Sequence, residues 1–233
     1  MISIIIPVYN QANKLIQTLK GIENQTYRDF EVIIVNDGSK DNVELIFSNY
    51  AKNSLSNNRY LFINQANQGA PAARNRGFKE AQGEYLFFCD ADAILKPEAL
   101  ALMIQALGQD AGASYAYSAF YWGKKLFKVG EFSAEKLKSG PYIHTMALIK
   151  RSDFPTAGWD EKIKKFQDWD LWLTMLEAGK RGVFVPQILF TIIPGGTISS
   201  WLPSFAYKLF PFLPSVKKYN RAFAIIKQKH GLN

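Results

Sequence analysis

Apolar and polar positions alternate between two periods over the first 110 residues. Ile2–Ile6 is an unbroken β-branched run, as expected of a strand buried on both faces. Leu15, Leu19 and Ile22 then recur at helical spacing, with Asn10 placed to cap that helix. Glu31–Val35 reads as a second strand, and Val43, Ile46, Phe47 and Tyr50 line one side of a second helix. A strand over Tyr60–Ile63, a helix from about 70 to 81 and the short apolar run Tyr85–Cys89 continue the series. Pro97 opens a further helix carrying Leu100, Met103, Ile104 and Leu107. Strands joined by crossover helices build right-handed units and a parallel sheet.

After residue 112 the pattern changes. Ser114–Trp122, Lys125–Val129 and Tyr142–Ile149 alternate only in part, which predicts antiparallel or mixed pairing. A helix runs from Trp169 to Ala178 and Gly179 ends it. A short strand, Val183–Val185, precedes a stretch interrupted by Pro186, Pro194, Gly195, Gly196 and Pro203. The tail from Trp201 to Asn233 is aromatic and free of acidic residues. Its Val216, Tyr219, Phe223 and Ile226 share one helical face, suited either to docking on the body or to an anionic membrane.

Composition narrows the choices. The chain has 233 residues, 48% of them apolar, enough for a substantial core and too apolar for disorder. A single cysteine, Cys89, excludes an internal disulfide and reads as a small core residue, compatible with reducing surroundings. Residues 1–116 carry 10 Lys+Arg against 12 Asp+Glu, while the remainder holds the basic excess behind the net +8. A basic surface facing a phosphate-bearing substrate or a membrane leaflet is expected, and no nucleic-acid motif accompanies it. The uncharged stretch 182–207 is too often broken by proline and glycine for a lipid-embedded helix, and no secretory leader is read at the start.

Chemistry concentrates where strands end. Asp90-Ala91-Asp92 follows the Tyr85–Cys89 run, at the edge where ligands of α/β sheets bind. Two carboxylates one residue apart form a hard oxygen site for Mg²⁺ or Mn²⁺ on a diphosphate, or else a solvated turn. Pro7 forces the chain out of the first strand and delivers Tyr9 to the crevice, to stack on a base or to pack under the first helix. Asp37, before Gly38, ends the second strand and can accept from a base or ribose, or cap the next helix. In Asn67–Gly77 the small residues permit close packing on the sheet. Arg74 there is placed to reach base or phosphate, whereas Arg76 reads as exposed. The dinucleotide fingerprint Gly-x-Gly-x-x-Gly is missing after the first strand, which argues against a nicotinamide-dependent dehydrogenase.

Five segments, Ser3–Asn10, Glu31–Asp41, Asn67–Gly77, Tyr85–Asp92 and Gly158–Gly179, occur in the order found in family 2 inverting glycosyltransferases. The chain resembles that family over residues 1–195. The resemblance implies a GT-A-like α/β fold: a mixed, mainly parallel sheet flanked by helices. It implies one domain over 1–200, with a nucleotide-binding half (1–112) and an acceptor and catalytic-base half (113–200), and a basic extension over 201–233. Pro7, Tyr9, Asp37 and Arg74 match positions that hold the nucleotide base, most often uracil. Asp90 matches a ribose and metal contact, and Asp92 the principal ligand of the divalent cation, Mn²⁺ or Mg²⁺.

Asp168, in Phe166-Gln167-Asp168-Trp169-Asp170, matches the family's catalytic base, which takes the acceptor hydroxyl's proton. Gln167 stands where the family usually has glutamate. Asp168 and Asp170 also fit helix N-terminal carboxylates favoured by the dipole, the simpler account for Asp170. Trp169 is expected at the acceptor site and Trp172 in the core. His144 and His230 lack metal-ligand spacing and read as structural or solvated. Lys162, Lys164 and Lys165 can attract a phosphorylated or lipid-diphosphate acceptor, or form a solvated face.

By analogy the activity is metal-dependent transfer from a UDP-sugar to a saccharide or lipid-linked hydroxyl, in polysaccharide or glycolipid synthesis of the cell envelope. The expected location is cytoplasmic, with peripheral membrane contact through the tail. Two alternatives remain. A sugar-phosphate nucleotidyltransferase would need a glycine-rich loop after the first strand, and Pro7-Val8-Tyr9-Asn10 has no glycine. A non-catalytic nucleotide-sugar or glycan-binding module is compatible with Gln167.

Overall fold

The computed structural model describes residues 1–54, 59–195 and 212–232. Strands β1 (Ile2–Val8), β2 (Phe30–Asp37), β3 (Arg59–Gln65) and β4 (Tyr85–Phe88) pair in parallel in the order β3-β2-β1-β4. Ile5 sits between Ile33 of β2 and Phe88 of β4, so the apolar runs bury both faces of the sheet. Helices α1 (Ala12–Glu23), α2 (Val43–Ser54) and α3 (Ala70–Glu80) are the crossovers. Gly77 lets α3 lie close on β1, since a methyl group there would meet Ile5 Cγ2 at 2.4 Å. Cys89 is buried, and burial raises its thiol well above the ordinary range, in keeping with a core residue.

Asn10 does not cap α1. It adopts the left-handed conformation at φ 52, and its Oδ1 accepts from the Lys40 N–H at 2.7 Å. The cap comes from across the strand ends: the Ala12 N–H donates to Asp41 Oδ2 at 2.9 Å.

The second half supplies the expected mixed pairing. β8 (Leu148–Lys150) runs antiparallel to β4 and to β6 (Tyr115–Trp122). β9 (Gly182–Ile192) is parallel to β6, β5 (Ala93–Leu95) pairs antiparallel with β9, and β7 (Lys125–Phe127) forms a hairpin with β6. α4 (Ala99–Gln109) follows β5, α5 (Ala134–Ser139) precedes β8, and α6 (Gln167–Glu177) precedes β9.

Three elements differ from the sequence reading. The expected strand Tyr142–Ile149 contracts to β8, because the Trp172 indole donates to the Ile143 carbonyl at 3.1 Å and ties that segment to α6. β9 outruns Val183–Val185. Its register jumps from Val185 to Ile188, which ejects Pro186 into a bulge and lets pairing resume. β5 is three residues long and leaves Ile94 exposed, too short for periodicity to reveal.

The tail forms α7 (Pro214–Lys229), docked through the stripe seen in the sequence. Val216 and Ile226 are fully buried, and Phe223 lies 4.6 Å from Trp169 between ring centres. Trp169 is therefore core, with its indole donating to the Leu137 carbonyl at 2.6 Å, and does not line an acceptor site. Trp172 is core as expected, stacked on Tyr115. Among the described residues no helix is long and apolar enough to cross a membrane. Residues 196–211, with Trp201 and Lys208, lie outside the described residues.

Candidate functional site

The parallel strands carry their carboxyl ends to one edge, where the segments after β1, β2 and β4 surround a cleft of about 480 Å³. Pro7, Tyr9, Asp37, Arg74, Asp90, Asp92 and Asp168 all line it. Asp168, 76 residues beyond Asp92, meets the others there because β8 turns the second half back over β4.

Asp37 is buried and already holds three donors. Its Oδ1 accepts from Gln65 Nε2 at 2.8 Å and the Gln68 N–H at 2.9 Å, and its Oδ2 from the Gly69 N–H at 2.8 Å. It thus fixes the loop that launches α3, rather than capping α2. Gly38 makes the turn after it at φ 71, pressed on the Asn67 backbone.

From α3 the buried Arg74 enters the cleft. Nη1 donates to Gln167 Oε1 at 2.9 Å, Nη2 to Asp90 Oδ1 at 3.2 Å, and the guanidinium lies 4.7 Å over the Trp159 ring. Its Nε is buried without a partner among the described residues, a donor left over for an incoming group. Arg76 forms a surface pair with Glu80.

Asp92 accepts from Gln11 Nε2 at 3.3 Å, with Lys14 Nζ at 3.8 Å. Burial, with the negative charge of Asp90, pushes its carboxyl up to about 6. Such crowding is what a divalent cation relieves. Among the described residues no group of three or more His, Cys, Asp or Glu side chains is placed to hold a metal ion by itself. Two carboxylates with open coordination suit an ion shared with a diphosphate, so the residues fit Mg²⁺ or Mn²⁺ held by Asp92 and Asp90.

Asp168, half-buried in the first turn of α6, accepts the Trp169 N–H at 2.9 Å. Burial raises its carboxyl, partly offset by His144. Phe166 just before it is left-handed at φ 59, a conformation that costs a side-chain-bearing residue about 1–2 kcal/mol. Gln167 keeps the hydrogen bond to Arg74 without setting a second negative charge beside Asp168. Asp170 faces away, buried against the tail.

His144 corrects the sequence reading, since it lines the cleft. Its Nδ1 accepts the Met146 N–H at 3.2 Å, which leaves the proton on Nε2, 3.7 Å from Asp90 Oδ2. Burial lowers its basicity, which favours the neutral ring beside the carboxylates. Antiparallel pairing of β8 with β4 was the missing signal: it brings the chain entering β8 over the end of β4. Lys164 and Lys165 line the cleft as well, and Lys162 does not.

The sequence profile described as "Glycosyl transferase family 2" matches residues 3–157, well over half of the chain. The chain belongs to glycosyl transferase family 2. Relatives within this family include a chondroitin synthase of Pasteurella multocida, 31% identical over 77% of this chain and 19% of that protein. An uncharacterised glycosyltransferase of Rickettsia bellii is 27% identical over 75% of this chain and 26% of its own length. The chain thus spans about a quarter of these family 2 relatives or less. Among solved structures, Staphylococcus aureus TarS 1-349 in complex with UDP-GlcNAc superposes with a TM-score of 0.72 at 18% identity, over 89% of this chain and 63% of that one. A Pyrobaculum calidifontis mannosyltransferase with GDP-Man and Mn²⁺ gives 0.68 at 20% identity, over 82% and 56%. These likenesses show that the chain has the GT-A-like α/β fold expected from its sequence.

Proposed function

We propose that the chain transfers a sugar from a nucleotide diphosphate donor, a UDP-sugar, to an acceptor hydroxyl with inversion at the anomeric carbon. The observation that carries this reading is the Arg74 bridge, one guanidinium joining Asp90 of the strand end to Gln167 beside Asp168. Asp92 and Asp168 therefore line one cleft of about 480 Å³, room enough for a substrate. The nucleotide sugars held by TarS and by the mannosyltransferase support a donor of the same class.

In this reading Tyr9 offers a ring to the base and Arg74 Nε donates to the donor. Asp92 and Asp90 would hold a divalent cation, which when bound would supply charge neutralisation for the departing diphosphate. Asp168 accepts the proton of the acceptor hydroxyl as that oxygen bonds to the anomeric carbon and the bond to the diphosphate breaks. Its raised affinity for protons, caused by burial, suits a general base. His144 stands beside Asp90, with its Nε2 3.7 Å from the carboxylate. Lys164 and Lys165 favour an anionic acceptor such as a lipid diphosphate. Exposed Lys217, Lys218 and Arg221 on α7 support peripheral contact with an anionic leaflet.

The test is calorimetric titration of the chain with UDP, with and without Mn²⁺, followed by hydrolysis and transfer assays on UDP-sugars. Metal-dependent binding that Asp92→Asn removes is the expected result. Binding unaffected by metal or by Asp92→Asn would refute the metal assignment.

A further inference from the structure

Helix α7 lies beyond the residues matched by the family profile, yet its side chains grip the segment that carries Asp168. Phe166, two residues before Asp168, holds φ 59 and ψ 34, a region that phenylalanine disfavours. Its ring meets Tyr219 edge-on at 4.9 Å and Phe223 at 5.9 Å. Its carbonyl accepts the Asp170 N–H at 2.9 Å, the first backbone hydrogen bond of α6. A second grip closes on Asp170, whose carboxylate lies 2.7 Å from Lys229 Nζ and 2.9 Å from His230 Nε2. Lys229 also reaches Asp160 at 2.8 Å, and His230 Nδ1 lies 2.7 Å from Glu177. Each ring nitrogen of His230 faces a carboxylate oxygen, so only the doubly protonated ring satisfies both.

Docking alone would need no more than the apolar stripe. Here the rings seat on the strained residue, and the charges lock the turn that follows it. We infer that α7 is a positioning element of the active site: it holds Phe166 left-handed and so aims Gln167 and Asp168 into the cleft. The catalytic half of this inference rests on Asp168 being the base; the conformational half does not.

The experiment uses the full chain carrying Tyr219→Ala and Phe223→Ala together, with and without Phe166→Asn, because asparagine enters the left-handed region readily. Three readouts are taken: amide exchange at Asp170, affinity for UDP with Mn²⁺, and kcat and KM for transfer. Expected are faster exchange at Asp170, a kcat lowered about 10- to 100-fold by misplacement of the base, and unchanged UDP affinity. Adding Phe166→Asn should recover part of the lost kcat and slow the exchange again. The inference is overturned by unchanged exchange and kcat in the double variant. It is equally overturned if kcat and UDP affinity fall together with no recovery by Phe166→Asn, the signature of general unfolding. Should the unaltered chain transfer no sugar, the functional reading fails, while the exchange data still decide whether α7 holds Phe166.

Discussion

Replacing Arg74 by alanine probes the cleft more fully than any other single change. Its side chain is buried and engaged three times, by Gln167 at 2.9 Å, by Asp90 at 3.2 Å and by the Trp159 ring at 4.7 Å. A hydrogen bond made by a charged group contributes about 1.5–3 kcal/mol, and a desolvated cation–π contact about 2 kcal/mol. The Asp90 side chain is 27% exposed, so water screens part of its pairing and partly replaces the lost donor. The lower end of each range therefore applies, and Arg74→Ala should lose about 2–4 kcal/mol of folding stability. UDP affinity should fall as well, since the unpartnered Nε goes with the rest of the side chain. Arg74→Lys keeps the charge but cannot span Asp90 and Gln167 together, so it should recover little of either property. Urea titration measures the first quantity and calorimetric titration with UDP and Mn²⁺ the second. An Arg74→Ala chain that unfolds at the same urea concentration and binds UDP equally well would refute the reasoning.

Asp168→Asn should lower kcat for transfer by about 10²–10⁴-fold while leaving UDP affinity intact, measured by steady-state kinetics and calorimetry. Two helix glycines should respond oppositely to alanine. Gly77→Ala drives a methyl group to 2.4 Å from Ile5 Cγ2 and should cost about 1–3 kcal/mol, whereas Gly108, with nothing within 4 Å, should gain about 0.5–1 kcal/mol, both by urea titration. For His230, burial opposes the charged ring, but the hydrogen bonds to Asp170 and Glu177 outweigh it and raise the folded value above the ordinary 6.5. Its contribution is then complete below the unfolded value and is lost as pH rises through the folded one. Urea midpoints from acidic to alkaline pH should therefore fall less steeply on that limb in His230→Gln than in the unaltered chain.

The first half of the fold is legible because parallel strands buried on both faces read as continuous apolar runs. β1, β2, β3 and β4 lie where Ile2–Ile6, Glu31–Val35, Tyr60–Ile63 and Tyr85–Cys89 point. The candidate residues of that half cluster for the same reason, since each strand ends at one edge. The second half is harder to read, because its pairing depends on tertiary geometry. Pro186 looks like a strand terminator until its bulge is seen, and the Trp172 indole removes residues 142–147 from the sheet by a hydrogen bond no local pattern encodes. His144 and Lys14 carry no local signal as site residues for this reason, one lying on the chain that enters an antiparallel strand and the other in the first turn of α1. The cap on α1 was misassigned because asparagine next to a helix is a local signal, while Asp41 arrives from the following crossover.

The shared guanidinium of Arg74 also bears on how such a chain can drift over generations. A glutamate at position 167 would compete with Asp90 for the same cation, and a neutral residue at 90 would leave the cation to 167 alone. Positions 74, 90 and 167 are therefore expected to change in concert among descendants of this sequence, although 16 and 93 residues separate the first from the other two.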